Sequence, residues 1–206
     1  VVTASHNPPE YNGYKVYWAD GGQIVPPHDK GIIEEVRAVG SNIQVMDRAD
    51  AEEQGLLRIM DEKIDAPYRE LVKSCSLRPE LLSNYGKELK VVYTPLHGTG
   101  AVMLPRVLGE MGVEVIPVPE QAEPDGNFPT VEYPNPEEAS AMEMGLAKGR
   151  ETGADLVMGT DPDSDRLAIA VPGEKDFRLL NGNQLGVLLA DYIFSTRSEQ
   201  GSMPDK

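Results

Sequence analysis

The chain has 206 residues, with 34 Asp and Glu against 19 Lys and Arg and a formal net charge of -15. That balance argues against nucleic acid or an anionic membrane surface as partner, because polyanion binding relies on Lys and Arg contacts to phosphate. The 40% hydrophobic content is enough to bury a core in one large or two small domains, and a single cysteine excludes an internal disulfide framework.

The chain starts Val1-Val2-Thr3-Ala4 without an initiator Met, as though entering midway through a strand, so a piece of a longer protein is expected. No signal peptide is visible. Ser5-His6-Asn7-Pro8-Pro9 then sets a hydroxyl and an imidazole side by side in a turn. Ser5 is a candidate nucleophile, and Gly13 and Lys15 follow closely enough for a cation to reach back to the same loop. A plain surface turn rich in Ser, Asn and Pro is the competing reading. Ile32, Ile33, Val36 and Val39 recur at helical spacing, which predicts an amphipathic helix over 29–39. A polar stretch over 47–54 precedes a second helical segment over 64–76, in which Cys75 is expected as a buried small hydrophobe without a chemical role. Trp18 and His28 are read as packing and surface residues. Pro79 and Asn84-Tyr85-Gly86 mark a loop.

A new unit begins there. Residues 89–93 read as a buried strand, 101–111 as a helix ended by Gly112, and 113–118 as a second strand, giving a βαβ unit. Between the first strand and the helix, Gly98 and Gly100 permit the turn, a structural role preferred over a phosphate-binding one. His97 in the same turn could line a cleft or be a hydrogen-bonded structural histidine. The Pro-rich stretch over 117–136 reads as a rigid loop. Asn135-Pro136-Glu137-Glu138 supplies an Asn cap, Pro at the first helical position and early acidic residues, starting a helix that runs to about 151. Residues 155–158 and 167–171 are strands around an acidic loop, and 183–196 is a further helix. The apolar stretch over 185–194 is interrupted by Asp191 and is too short to cross a bilayer. The fold class is α/β: a mostly parallel or mixed sheet covered by helices on both faces. Ligands of such sheets sit beyond the carboxyl ends of strands, where the acidic loop falls.

That loop, Gly159-Thr160-Asp161-Pro162-Asp163-Ser164-Asp165-Arg166, sets carboxylates at alternate positions between two apolar runs. In extended backbone, residues two apart point the same way, so Asp161, Asp163 and Asp165 can converge on one hard cation. Arg166 adds a fixed positive charge suited to a phosphate oxygen. A solvated acidic turn competes with this reading. An EF-hand calcium loop fails, since its sixth position needs Gly and its twelfth a bidentate Glu, where this chain has Arg166 and Pro172. Magnesium, which takes few carboxylates and keeps some water, is the better match.

Four runs now stand in order: Thr-Ala-Ser-His-Asn-Pro, Asn-Gly-x-Lys, Thr94-Pro95-Leu96-His97-Gly98-Thr99-Gly100, and Gly-Thr-Asp-Pro-Asp-Ser-Asp-Arg. Together they resemble the α-D-phosphohexomutase superfamily, and Pro124 to Thr130 with Tyr133 to Glu138 are similar to bacterial phosphoglucomutase/phosphomannomutase proteins. The resemblance extends over nearly all of the chain. It implies three-layer α/β/α domains: 1–62 as the latter part of a phosphoserine domain, 63–174 as a central metal-binding domain, and 175–206 as the start of a third.

The resemblance further implies a cytoplasmic isomerase, an intramolecular phosphotransferase that moves phosphate between the 1- and 6-positions of a hexose through a bisphosphate intermediate. Ser5 would carry the phosphoryl group. Asp161, Asp163 and Asp165 would bind Mg²⁺ together with a phosphoserine oxygen on Ser5. His6 and Lys15 would handle protons or contact the transferring group, with Lys15 the first choice of base and His6 its rival. Arg166 and His97 would bind substrate. A sugar bisphosphate of the glucose 1,6-bisphosphate type is the implied activator, a small-molecule sugar phosphate the implied partner, and no obligate protein partner is evident. The family's sugar-recognition loop and its second phosphate-binding loop do not occur in this sequence, so this stretch alone is expected to be inactive. The alternatives are a Mg-dependent sugar phosphatase or phosphotransferase, disfavoured by Arg166 after the third Asp, and a non-catalytic metal-binding homologue.

Overall fold

The computed structural model describes residues 1–204, and the chain divides into two compact units. The first comprises Val1–Thr3 and Gly13–Pro67, the second Ala4–Asn12 and Tyr68–Lys206.

In the first unit, β1 (Val2–Thr3) pairs antiparallel with β2 (Gly13–Tyr14), and a single bridge joins Tyr17 to Gln23. Helix α1 (His28–Val39) is followed by the short α2 (Arg48–Glu53), capped by the Asp47 side chain accepting from the Ala49 N–H at 2.8 Å. That cap turns the polar stretch over 47–54 into a helix. Trp18 stacks on His28 with ring centroids 5.2 Å apart, so this surface pair packs on itself. Helix α3 (Glu62–Ser74) spans the division between the units.

The second unit holds the core. Helix α4 (Pro79–Tyr85) occupies a stretch whose Pro79 and Asn84 read as loop signals; Pro79 stands in the first helical turn, where its missing N–H costs nothing. Strand β3 (Lys90–Thr94) leads to α5 (Gly100–Glu110), β4 (Glu114–Pro117), the one-turn α6 (Pro119–Ala122), α7 (Ala139–Thr152), β5 (Leu156–Thr160), β6 (Leu167–Pro172), β7 (Phe177–Leu180) and α8 (Gly182–Glu199). The five-stranded sheet has the order β4-β3-β5-β6-β7. Strand β3 runs parallel to β4 and β5, while β5, β6 and β7 form an antiparallel meander. The sheet is therefore mixed. From β3 the chain steps outward to β4 through α5, then returns across β3 to β5 through α7. Right-handed crossovers in opposite directions put those two helices on opposite faces, and every residue of Val91 to Thr94 is buried as a result.

Under α7 the core is Val92, Val118, Met142, Ala154, Val157 and Ala170, with Phe177 and Leu179 packed at its edge. Two sequence expectations change here. The Asn135 side chain accepts from the Glu137 N–H at 3.2 Å in a local turn, and α7 starts only at Ala139 with Glu138 as its cap. An Asx turn competes with capping for the same donor. Cys75 is exposed rather than buried, because it lies just past the end of α3 with its thiol on the Leu71 carbonyl at 3.4 Å. Strand β7 has no counterpart in the sequence reading; its apolar residues are too few to stand out from the turn before it.

Candidate active site at the acidic hairpin loop

Strands β5 and β6 pair Thr160 with Leu167, so residues 161–166 close an antiparallel hairpin. The acidic loop is thus bent, not extended as the spacing argument supposes. The Ser164 N–H donates to the Asp161 carbonyl at 3.0 Å, Ser164 takes a left-handed φ of 61°, and the Arg166 N–H donates to Asp161 Oδ1 at 2.9 Å. The fold back brings one oxygen each of Asp161, Asp163 and Asp165 within 4.8 Å of one another. Convergence comes from the turn, since a loop that wraps its first side chain can aim the next two at the same point.

Asp161 is fully buried, Asp163 half-buried and Asp165 exposed. Burial pushes the Asp161 carboxyl up to about 6; the Arg166 N–H works against the shift, and a hydrogen bond with Asp163 and the charges of Asp163 and Asp165 add to it. Such a set of hard oxygen donors under mutual repulsion could hold a metal ion, whose charge would remove the repulsion.

Ser5 comes to this loop from the N-terminal segment of the same unit. Its hydroxyl donates to Asp161 Oδ2 at 3.2 Å, and His6 Nδ1 lies 3.4 Å from Ser5 Oγ. Ser5 has φ 54°, a left-handed conformation uncommon for a residue with a side chain, in a turn closed by the Asn7 N–H on the Ala4 carbonyl. Arg166 points its guanidinium toward Glu137, 3.9 Å away. The structure thus gathers Ser5, His6, the aspartates and Arg166. Lys15 belongs to the first unit, where its backbone N–H donates to the Val1 carbonyl at 2.8 Å.

His97 has the geometry of the hydrogen-bonded role open to it. Only 5% exposed, it meets the Glu123 carbonyl through Nδ1 at 3.2 Å and the Thr130 hydroxyl through Nε2 at 2.8 Å. A carbonyl only accepts, so Nδ1 carries a proton and donates it to the Glu123 carbonyl. Glu137 is a neighbour of Arg166 that the sequence does not signal: it reads as an early acidic helix residue, and the pairing depends on tertiary contact.

The model for phosphoglucomutase/phosphomannomutase α/β/α domain II matches residues 66–174, and that for domain I matches residues 1–42. The chain belongs to the phosphoglucomutase/phosphomannomutase family. A probable phosphomannomutase of Haemophilus influenzae is 39% identical over 210 residues, covering 98% of this chain and 41% of the relative. A phosphopentomutase of Homo sapiens is 37% identical over 209 residues, covering 97% and 33%. The crystal structure of a putative phosphomannomutase from Thermus thermophilus superposes with a TM-score of 0.69 at 29% identity, covering 94% of this chain and 40% of that one. This chain therefore spans about a third to two fifths of the length of these family members. Among the described residues no helix is long and apolar enough to cross a membrane.

Proposed function

We propose that this chain carries the phosphoserine and metal-binding part of a phosphosugar mutase that interconverts hexose 1-phosphate and hexose 6-phosphate, with glucose or mannose as the sugar. The observation that carries the reading is the Ser5 hydroxyl on Asp161 beside the carboxylate trio, in a chain of this family. Mg²⁺ would be held by Asp161, Asp163 and Asp165 together with an oxygen of phosphorylated Ser5; when bound, it supplies positive charge against the transferring phosphoryl oxygens.

The chain's own residues account for the rest. Ser5 Oγ gives its phosphoryl group to a sugar phosphate hydroxyl, and after the bisphosphate turns round it takes back the other phosphoryl group, so the P–O bonds broken and formed balance over one cycle. Arg166 provides a fixed cation beside the loop, suited to a phosphate oxygen. His6, next to Ser5 Oγ, and Lys15, on the other unit, are the two candidates to take the proton of the attacking hydroxyl. A sugar bisphosphate restores the phosphoserine when it is lost. Cytoplasmic residence goes with substrates of this kind. A pentose phosphate is a second reading, favoured by the relative named phosphopentomutase.

Incubation with Mg²⁺ and glucose 1,6-bisphosphate, followed by intact-mass measurement, should add one phosphate that is absent in Ser5→Ala. The protein carrying this chain should then convert glucose 1-phosphate, mannose 1-phosphate or ribose 1-phosphate. Failure to convert any sugar phosphate would reject the mutase reading.

A further inference from the structure

The segment joining β3 to α5 makes contacts whose target is the acidic loop. The Thr99 N–H and the Thr99 hydroxyl both donate to the Pro162 carbonyl, at 2.8 and 3.0 Å. Gly98 lies so close beneath Pro162 that a Cβ placed on it would run into the Pro162 Cα and come within 2.6 Å of the Pro162 carbonyl oxygen. A Cβ on Gly100 would strike the Tyr93 hydroxyl and come within 2.7 Å of Ser164 Oγ. Tyr93 in turn shares a hydrogen bond of 2.7 Å with Thr160 Oγ1. Pro162 is thus held by the segment joining β3 to α5, Thr160 by Tyr93 near the end of β3, and Ser164 lies close against Gly100 at the start of α5.

That segment is itself rigidly shaped. Leu96 and His97 take left-handed φ values of 47° and 62° although both are buried and neither is Gly. Such backbone persists only where the surroundings fix it. Here the Thr94 hydroxyl accepts from the Leu96 N–H at 3.1 Å, and the Gln121 carbonyl accepts from the His97 N–H at 3.0 Å. Neither bond reaches the acidic loop; both fix the segment that does.

We propose that Thr99 is a positioning residue for the cation site, acting through Pro162 to set where Asp161 and Asp163 present their oxygens, with Gly98 as the bare position that lets it approach. The inference rests on the metal-binding reading above. It assigns the Gly98-Thr99 step of the Thr94 to Gly100 run a mechanical part: its contacts go to Pro162, and through Pro162 they set the loop that carries the carboxylates. Displacement of Pro162 moves Asp161 and Asp163 together because they flank it in sequence, whereas metal coordination tolerates only small departures in donor position.

Mn²⁺ serves as the spectroscopic probe in place of Mg²⁺. Its affinity and bound-state electron paramagnetic resonance spectrum would be measured for the unaltered chain, Gly98→Ala, Thr99→Val, Thr99→Ser and Gly109→Ala, the last placing its methyl in open space. Each metal-free protein would also be melted. Gly98→Ala should bind about tenfold more weakly or worse, Thr99→Val about threefold to tenfold more weakly, and both with an altered bound spectrum. Thr99→Ser and Gly109→Ala should match the unaltered chain. If Gly98→Ala fails to fold, the Thr99 pair decides: loss in Val with recovery in Ser supports the inference, and equal binding by both overturns it. Unaltered binding in both Gly98→Ala and Thr99→Val overturns it as well. Absence of Mn²⁺ binding in the unaltered chain would overturn the metal reading and this inference together, whereas binding that no variant disturbs overturns this inference alone.

Discussion

Ser5 donates its hydroxyl to Asp161 Oδ2 at 3.2 Å from a position 156 residues away in sequence. The acceptor is the buried member of the carboxylate trio, and its other oxygen is held by the Arg166 N–H at 2.9 Å. Both Asp161 oxygens are therefore oriented by the protein, one toward its own loop and one toward the candidate nucleophile. Asp163 is half-buried and Asp165 exposed, so the trio runs from the buried Asp161 out to the surface.

Asp163→Asn separates a ligand role of the middle carboxylate from a structural one. Asn keeps the shape but loses the charge, so affinity for Mg²⁺ should fall at least about tenfold while the fold survives. Isothermal titration with Mg²⁺ and a far-ultraviolet circular dichroism spectrum check the two halves. Global unfolding on this substitution would mean that the loop serves mainly to hold the hairpin.

Asp161 sets a pH dependence of opposite sign to that of an ordinary salt-bridged carboxylate. Its folded value lies at about 6 against an ordinary 3.8, so the metal-free fold binds this proton more tightly than the unfolded chain does. The stability it contributes is full below about 3.8, and it is lost as pH rises through about 6. At neutral pH the ionised group costs up to about 3 kcal/mol by the conversion of pKa shift to energy. In EDTA, the melting temperature of the chain relative to Asp161→Asn should rise between pH 7 and pH 5. A flat difference across that range would refute the cause assigned to the shift.

Several parts of this arrangement are legible in the sequence because they depend on local chemistry. The periodicity of Ile32, Ile33, Val36 and Val39 locates α1, and the apolar runs locate β3, β5 and β6 within a residue or two. The carboxylate spacing marks the loop, yet for a reason the structure replaces: a hairpin turn with Ser164 at φ 61° does the gathering, and pairing of β5 with β6 is a tertiary choice that spacing does not encode. Gly98 and Gly100 do have a structural role, but the turn's left-handed residues are Leu96 and His97. The glycines serve close approach to Pro162 and Ser164, which is visible only once two distant segments are in contact. Cys75 shows the same limit, since burial of a residue at a helix end depends on what packs there.

Tyr93 supplies an alkaline counterpart. Its hydroxyl is buried against Thr160 Oγ1, and desolvation pushes its pKa from 10.0 up to about 12, with the Thr160 hydrogen bond pulling down and the Asp161 charge adding to the rise. The native state keeps the proton longer than the unfolded chain, so the contribution is full below about 10 and is lost as pH rises through about 12. The loss amounts to about 3 kcal/mol. Tyr93→Phe should be less stable than the unaltered chain at pH 8, through the lost hydrogen bond, and the gap should narrow above pH 10. Urea denaturation at both pH values measures it, and a gap that widens with pH would contradict the burial argument.

Gln121 is the test of whether the Thr94 to Gly100 run owes its shape to the polar network below it. The residue is fully buried; its Oε1 accepts from the Thr94 hydroxyl at 2.7 Å and its Nε2 donates to the Thr130 hydroxyl at 3.1 Å. Gln121→Leu fills the same space but leaves the Thr94 O–H without its acceptor and takes one of two partners from the Thr130 hydroxyl, which keeps His97, and should cost about 2–4 kcal/mol. Gln121→Glu is more informative. Its carboxyl can still accept from Thr94, but when ionised it is a buried charge with no donor left for Thr130. Burial raises the pKa of such a group, so the penalty should be smaller at pH 5 than at pH 7, where the ionised form must be accommodated. Unfolding midpoints in urea at the two pH values give the comparison. A Gln121→Glu protein equally stable at both would show that water reaches this network, and that the left-handed backbone at Leu96 and His97 is fixed by something other than it.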